Sequence, residues 1–121
     1  MTDIQESRTA DRLPARDEVL ALSAAGGDAE LAAELYAALR SGLPGDLDEL
    51  RRQCLAGDWS GLADTAHRVR SACRYCGAPA LDEALGALEP LARSGRDYSE
   101  IGLVVDWIER EARRLLAMPG G

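Results

Sequence analysis

One histidine occurs among the 121 residues, His67, in the run Ala66-His67-Arg68-Val69-Arg70-Ser71-Ala72-Cys73-Arg74-Tyr75-Cys76-Gly77. At about 100° per residue, Leu62, Ala66, Val69, Cys73 and Cys76 share one side of a helix. His67, Arg70, Ser71 and Arg74 share the other, with Arg68 near the flank. His67 stands about 140° from the centre of the apolar stripe, so packing does not require it. Arginines beside a histidine disfavour the imidazolium, which leaves a nitrogen lone pair available. They also attract a dianion attached to that nitrogen: a phosphoryl group about 6 Å from one guanidinium gains roughly 1–5 kcal/mol. These residues suit an exposed imidazole acting as nucleophile or phosphate acceptor, and spacing alone does not name the reaction. The competing reading is a solvated arginine face with ion pairs to Asp64 or a neighbouring helix.

The three cysteines offer a second chemistry. Cys73 and Cys76 form a C-x-x-C pair, with Cys54 elsewhere. A redox pair of this kind is expected at a helix start after a strand, whereas here it lies late in a helix, on the apolar stripe. Zinc needs about four ligands, and His67 points away from the stripe. The expectation is structural core cysteines and no metal. A thiol- or metal-based sensor is the weaker alternative.

The element that carries His67 is one of a series. Residues 1–12 are polar and aperiodic and read as a flexible arm or linker, followed by a single domain over residues 13–118. Pro14 suits the first turn of a short helix reaching about Ala24, ended by Gly26-Gly27. Asp28 is an N-cap candidate for a long helix with Leu31, Leu35, Leu39, Leu43, Leu47 and Leu50 at helical spacing. Gly42 and Pro44 interrupt it, but the apolar phase carries across, which predicts one kinked helix rather than two. Asp58 caps the His67 helix and Gly77 stops it. Pro79 opens the next helix, in which Pro90 bends the final turn and Gly95 closes. Asp97-Tyr98-Ser99-Glu100 resembles a capping box for a last helix, and Met118-Pro119-Gly120-Gly121 reads as a frayed tail. No internal repeat is evident. The fold class is all-α: an antiparallel up-and-down four-helix bundle with a short additional N-terminal helix capping one end.

Composition agrees and excludes several functions. Leu and Ala dominate the apolar content and Phe is absent, which favours helices over strands. The formal net charge of −7 argues against a nucleic-acid partner and against a membrane surface. No run approaches the roughly 20 apolar residues of a membrane span, and the N-terminus lacks the features of a secretion signal. A cytoplasmic monomer is the expectation.

Ala66-His67-Arg68-Val69-Arg70-Ser71-Ala72, with Cys76-Gly77-Ala78 and Leu81, resembles the signature of histidine phosphotransfer (HPt) domains, approximately A-H-x-L-K-G-[SA]-[AC]-x-x-x-G-[AV]. Leu85-Gly86-Ala87-Leu88-Glu89 resembles the leucine–glutamate ending of that family's next helix. Leu55-Ala56-Gly57-Asp58-Trp59-Ser60-Gly61-Leu62 resembles its approach to the histidine helix. The likeness covers residues 28–94 closely and the last helix by pattern only. The variant from Ser71 to Pro79 is similar to the C-terminal HPt domains of BarA/GacS-type hybrid sensor kinases.

The resemblance implies that His67 accepts a phosphoryl group on Nε2 from a receiver-domain aspartate of a hybrid histidine kinase and passes it to a response regulator. Arg70 matches the position where the family often has a Lys that steadies the phosphoryl group; arginine keeps the charge and changes its geometry. Ser71 matches the frequent Gly whose bareness lets a receiver approach, and its hydroxyl can donate to phosphate. Arg74 adds charge, giving a positive rim complementary to the receiver's acidic pocket. Ala63, Asp64, Arg68 and Ala78 are the expected docking contacts. No cofactor is implied, and no Gly-rich phosphate loop is present for ATP. The alternative is a helical adaptor that binds a receiver or kinase without being phosphorylated.

Overall fold

Three aspartates start three of the helices. In the computed structural model, which describes residues 12–95 and 98–118, Asp17 begins α1 (Glu18–Ala24), Asp28 begins α2 (Ala29–Ala56) and Asp58 begins α3 (Trp59–Cys76). Each carboxylate accepts from backbone N–H groups that the first turn leaves unpaired: Asp17 from Val19 and Leu20, Asp28 from Glu30 and Leu31, and Asp58 from Gly61, all at 3.0–3.1 Å. The fourth start uses a different device. α4 (Pro79–Ser94) has no side-chain cap and begins on a proline, which has no N–H to satisfy. α5 (Tyr98–Leu116) completes the set. Among the described residues there is no strand.

α2 runs unbroken through Pro44 and α4 through Pro90, so the continuous phase of the leucines was the correct guide. Pro14, expected in the first turn of α1, instead precedes it in extended chain. The capping box falls on Asp97, and most of the arm and tail fall on residues 1–11 and 119–121, all outside the described residues. Arg12, placed at the end of the arm by sequence, in fact donates to Glu111 of α5 at 2.7 Å.

Two-residue connections at Gly57-Asp58 and Gly77-Ala78 force successive helices to run antiparallel. α2 packs on α3, α3 on α4, α4 on α5, and α5 back on α2, which closes the four-helix ring. Leu43, Leu50, Leu62, Val69, Leu81, Leu85, Leu88, Ile101, Val105, Ile108 and Leu115 fill its centre and are almost completely buried. α1 lies across the end of α3 and α2. Gly77 makes that possible. It takes the left-handed conformation (φ 63°) that ends α3, and a Cβ there would collide with the Asp17 carbonyl and lie 2.8 Å from the Ala21 nitrogen. The seam is sewn by Asp17 N–H to Gly77 O at 2.7 Å, Arg16 Nε to Cys76 O at 3.0 Å and Ala80 N–H to Pro14 O at 3.2 Å. Among the described residues, no helix is long and apolar enough to cross a membrane.

Candidate functional site

α3 turns Leu62, Ala66, Val69, Cys73 and Cys76 inward, as the helical phase requires, and His67 outward with 66% of its side chain exposed. The neighbouring helix α4 keeps Leu81, Ala84, Leu85 and Leu88 in the core. This leaves Asp82, Gly86 and Glu89, spaced by four and three residues, on the flank that meets α3. The site is therefore built from two helices.

His67 Nδ1 lies 3.4 Å from Glu89 Oε1, and Arg70 Nη1 lies 3.6 Å from the same oxygen. Both are ion-pair contacts longer than an ordinary N–H···O bond, and among the described residues this buried oxygen has no well-formed hydrogen bond. Arg70 Nε donates to Asp82 Oδ1 at 2.8 Å. That bond, against some desolvation, pushes the Arg70 guanidinium above its ordinary range. Arg74 Nε is 3.5 Å from the other Asp82 oxygen. On the opposite flank Arg68 donates to Asp46 of α2 at 2.9 Å.

This geometry sets the histidine's chemistry. With Nδ1 facing a carboxylate, the proton belongs on Nδ1 and the lone pair on Nε2, the nitrogen on the far side of the ring. Positive charge that develops on the imidazole when Nε2 attacks an electrophile is met by Glu89.

Several expectations are corrected here. The rim around His67 carries paired charge: Arg68, Arg70 and Arg74 face Asp46, Asp82 and Glu89. Ala63 and Ala78, expected to dock a partner, are buried in the core, because neighbouring helices close over small side chains. The Ser71 hydroxyl donates to the carbonyl of His67 at 3.1 Å, the usual helical back-bond of a serine, rather than pointing to where a phosphate would sit. Asp64 and Arg68 are exposed on the His67 side of α3, where docking contacts are expected. Asp82, Gly86, Asp46 and the role of Glu89 were missed. The available signal was the i, i+4, i+7 series at 82, 86 and 89, which flanks the α4 leucine stripe.

Cys73 and Cys76 are core residues, and Cys54 is half-buried against the core. Burial pushes the thiols of Cys73 and Cys76 up, and Cys76 Sγ donates to the Leu35 carbonyl at 3.2 Å. Among the described residues no three His, Cys, Asp or Glu side chains come together in a way that could hold a metal ion. Beside Arg74 and Asp82 an open cleft of about 300 Å³ is lined by Leu20 of α1, Cys73 and Pro79.

Fold and site together define a helical module that presents one exposed, carboxylate-backed imidazole. Comparison with known proteins gives that module a family. The Hpt domain family matches residues 34–116. The sensor histidine kinase GacS of Pseudomonas protegens is 35% identical over 102 residues, which is 84% of this chain and 11% of that protein. The sensor protein GacS of Pseudomonas syringae is 33% identical over 97 residues, 76% of this chain and 11% of the relative. The signal transduction histidine-protein kinase BarA of Escherichia coli K12 is 28% identical over 107 residues, 83% of this chain and 12% of the relative. No solved structure matches the chain significantly. The chain belongs to the Hpt domain family, the histidine phosphotransfer modules of two-component signalling. It spans about a tenth of the length of these relatives.

Proposed function

We propose that His67 carries a phosphoryl group between two receiver domains. The Nε2 lone pair forms the P–N bond while the acyl-phosphate P–O bond of the donor breaks and its electron pair leaves on the aspartate carboxylate. The reverse step delivers the group to a second aspartate. The observation that carries this reading is an imidazole 66% exposed with Nδ1 3.4 Å from Glu89 Oε1, which leaves Nε2 as the attacking nitrogen. The receiver supplies its own acidic pocket and metal ion. Arg74 is more exposed than Arg70, 58% against 31%, and is held only at 3.5 Å by Asp82. It is therefore the cation that follows the incoming phosphoryl group most easily. Arg70 acts closer to the ring. Asp64 and Arg68 lie on the docking face, and the apolar contact comes from Leu20 and Pro79 at the cleft beside Arg74, whose floor includes the buried Ala78. On this reading the donor is a receiver domain of a hybrid histidine kinase and the acceptor a response regulator, with the exchange in the cytoplasm and the chain acting as a monomer; the likeness to sensor histidine kinases supports the link to a kinase and no finer assignment.

The test is phosphotransfer profiling. Receivers of the same organism, charged with radiolabelled acetyl phosphate, transfer label to the wild-type chain and none to His67→Gln. Absence of transfer from every receiver overturns the reading. If a receiver then binds wild type and His67→Ala equally, the chain is an adaptor instead.

A further inference from the structure

Glycine is, after proline, the residue least suited to a helix interior, yet Gly86 stands in the middle of α4, four residues after Asp82 and three before Glu89. Its surroundings explain it. The three atoms nearest to a Cβ built at position 86 all belong to the Arg70 guanidinium: Cζ at 3.0 Å, Nη2 at 3.1 Å and Nε at 3.3 Å. The guanidinium therefore lies against the bare backbone of α4. From that seat Nε donates to Asp82 at 2.8 Å, and Nη1 stands 3.6 Å from Glu89 Oε1. The same oxygen, buried and without a hydrogen-bond partner, is 3.4 Å from His67 Nδ1.

We propose that Gly86 is a positioning residue for phosphoryl transfer: its missing side chain seats Arg70 across α4, where the guanidinium ties Asp82 to Glu89 and holds Glu89 beside His67 Nδ1. The proposal rests on the phosphotransfer reading and adds a residue that touches neither the imidazole nor the partner. Its physical content is a chain of contacts. A methyl at 86 would lie well inside the ordinary carbon–carbon separation of about 3.5–4.0 Å from Cζ. The guanidinium, at the end of a flexible side chain, would have to give by a few tenths of an ångström. That shift loosens its hold on Asp82 and on the facing Glu89 oxygen, and so the placing of the carboxylate beside the imidazole. The helix itself would gain from alanine, so stability and function should move in opposite directions.

The experiment compares wild type, Gly86→Ala, Arg70→Lys and the double variant. Gly86→Ala should melt no lower than wild type and bind the charged receiver with unchanged affinity. Its initial rate of phosphoryl uptake should fall about threefold to tenfold. The ¹⁵N shifts of the His67 ring should move toward the Nε2–H tautomer. In the Arg70→Lys background, where the planar group is already gone, Gly86→Ala should cost no further rate. A wild-type rate with unchanged ring shifts overturns the proposal, and so does an equal rate loss in both backgrounds. If wild type accepts label from no receiver, the phosphotransfer reading has failed by itself. The seat is then judged by the ring shifts alone: unchanged shifts in Gly86→Ala overturn it, and shifted ones uphold it.

Discussion

Glu111 and Glu89 lie on different flanks of the same bundle, each beside cationic side chains. Glu111, on α5, is 5% exposed and accepts from Arg12 at 2.7 Å and from Arg114 at 2.9 Å. Arg114 also donates to the Leu13 carbonyl at 3.0 Å, so the pair clamps the segment before α1 to the last helix. Burial alone would raise the Glu111 carboxyl, but the hydrogen bonds from Arg12 and Arg114 outweigh it and hold it below the usual carboxylate range. Glu89 is 15% exposed, with an arginine and a histidine near one buried oxygen and a hydrogen bond to neither. The ingredients are similar and the outcomes differ. A satisfied carboxylate spends its interactions on holding the fold. On the proposed phosphotransfer reading, an incompletely satisfied one beside an exposed imidazole keeps them for charge that appears only during a reaction.

The contrast breaks first at Glu111. Glu111→Gln should lose about 1.5–3 kcal/mol of unfolding free energy in urea, the range for hydrogen bonds to charged groups, while phosphoryl uptake by the folded protein stays at the wild-type rate. Its pH dependence has a definite sign. The folded-state value of Glu111 lies below the unfolded value of about 4.3. The contribution is therefore complete above the unfolded value and is lost as pH falls through the folded one. The stability gap between wild type and variant should be constant from pH 6 to 8 and should narrow below about pH 4. A gap that persists undiminished into acid would show that packing, not charge, is what Glu111 supplies.

Glu89→Gln should do the reverse. It removes the carboxylate charge with little change of shape, so uptake should slow about tenfold, equal to about 1.4 kcal/mol of barrier. Stability should fall less than in Glu111→Gln, because the buried oxygen has only the longer ion-pair contacts to His67 and Arg70 to lose. A melting temperature lowered as far as in Glu111→Gln, with transfer intact, would make Glu89 a second clamp and remove the contrast.

The difference between these two carboxylates also marks where sequence stops being legible. Helical phase placed His67 outward and most of the leucines inward, though Leu31 is exposed. The Asp28 and Asp58 caps and the glycine after α3 were readable because each is a local matter of a few residues, whereas the Asp17 cap was not read. The phase within one helix does not say how far that helix is rotated against its neighbour. Asp82 does not stand out in the sequence, and Glu89 does so only through the family resemblance, until α4 is docked on α3. Arg12 read as part of an arm until α5 presented Glu111 to it. Alanines are the least legible of all. Ala63 and Ala78 have so little side chain that whether they are covered depends on how closely another helix approaches, and both are buried.

Ser71 sharpens the comparison at the smallest scale, since it asks whether a polar group next to the histidine belongs to the fold or to the reaction. Its hydroxyl donates to the His67 carbonyl one turn back, which satisfies the proton within α3 and keeps the oxygen close to the helix. On this geometry it belongs to the fold, like Glu111. Ser71→Gly should cost about 0.5 kcal/mol of stability from the difference in helix propensity. It should change the rate of phosphoryl uptake by less than about threefold, or roughly 0.6 kcal/mol. Stopped-flow or rapid-quench transfer from one receiver, run beside urea unfolding of the same two proteins, measures both. A large gain in rate would show that the hydroxyl stands in the path of the receiver. A large loss would show that it turns from the carbonyl to the phosphoryl group as transfer occurs. In either case the side chain would move to Glu89's side of the comparison, because its hydrogen bond in the resting helix would be one that the reaction rearranges.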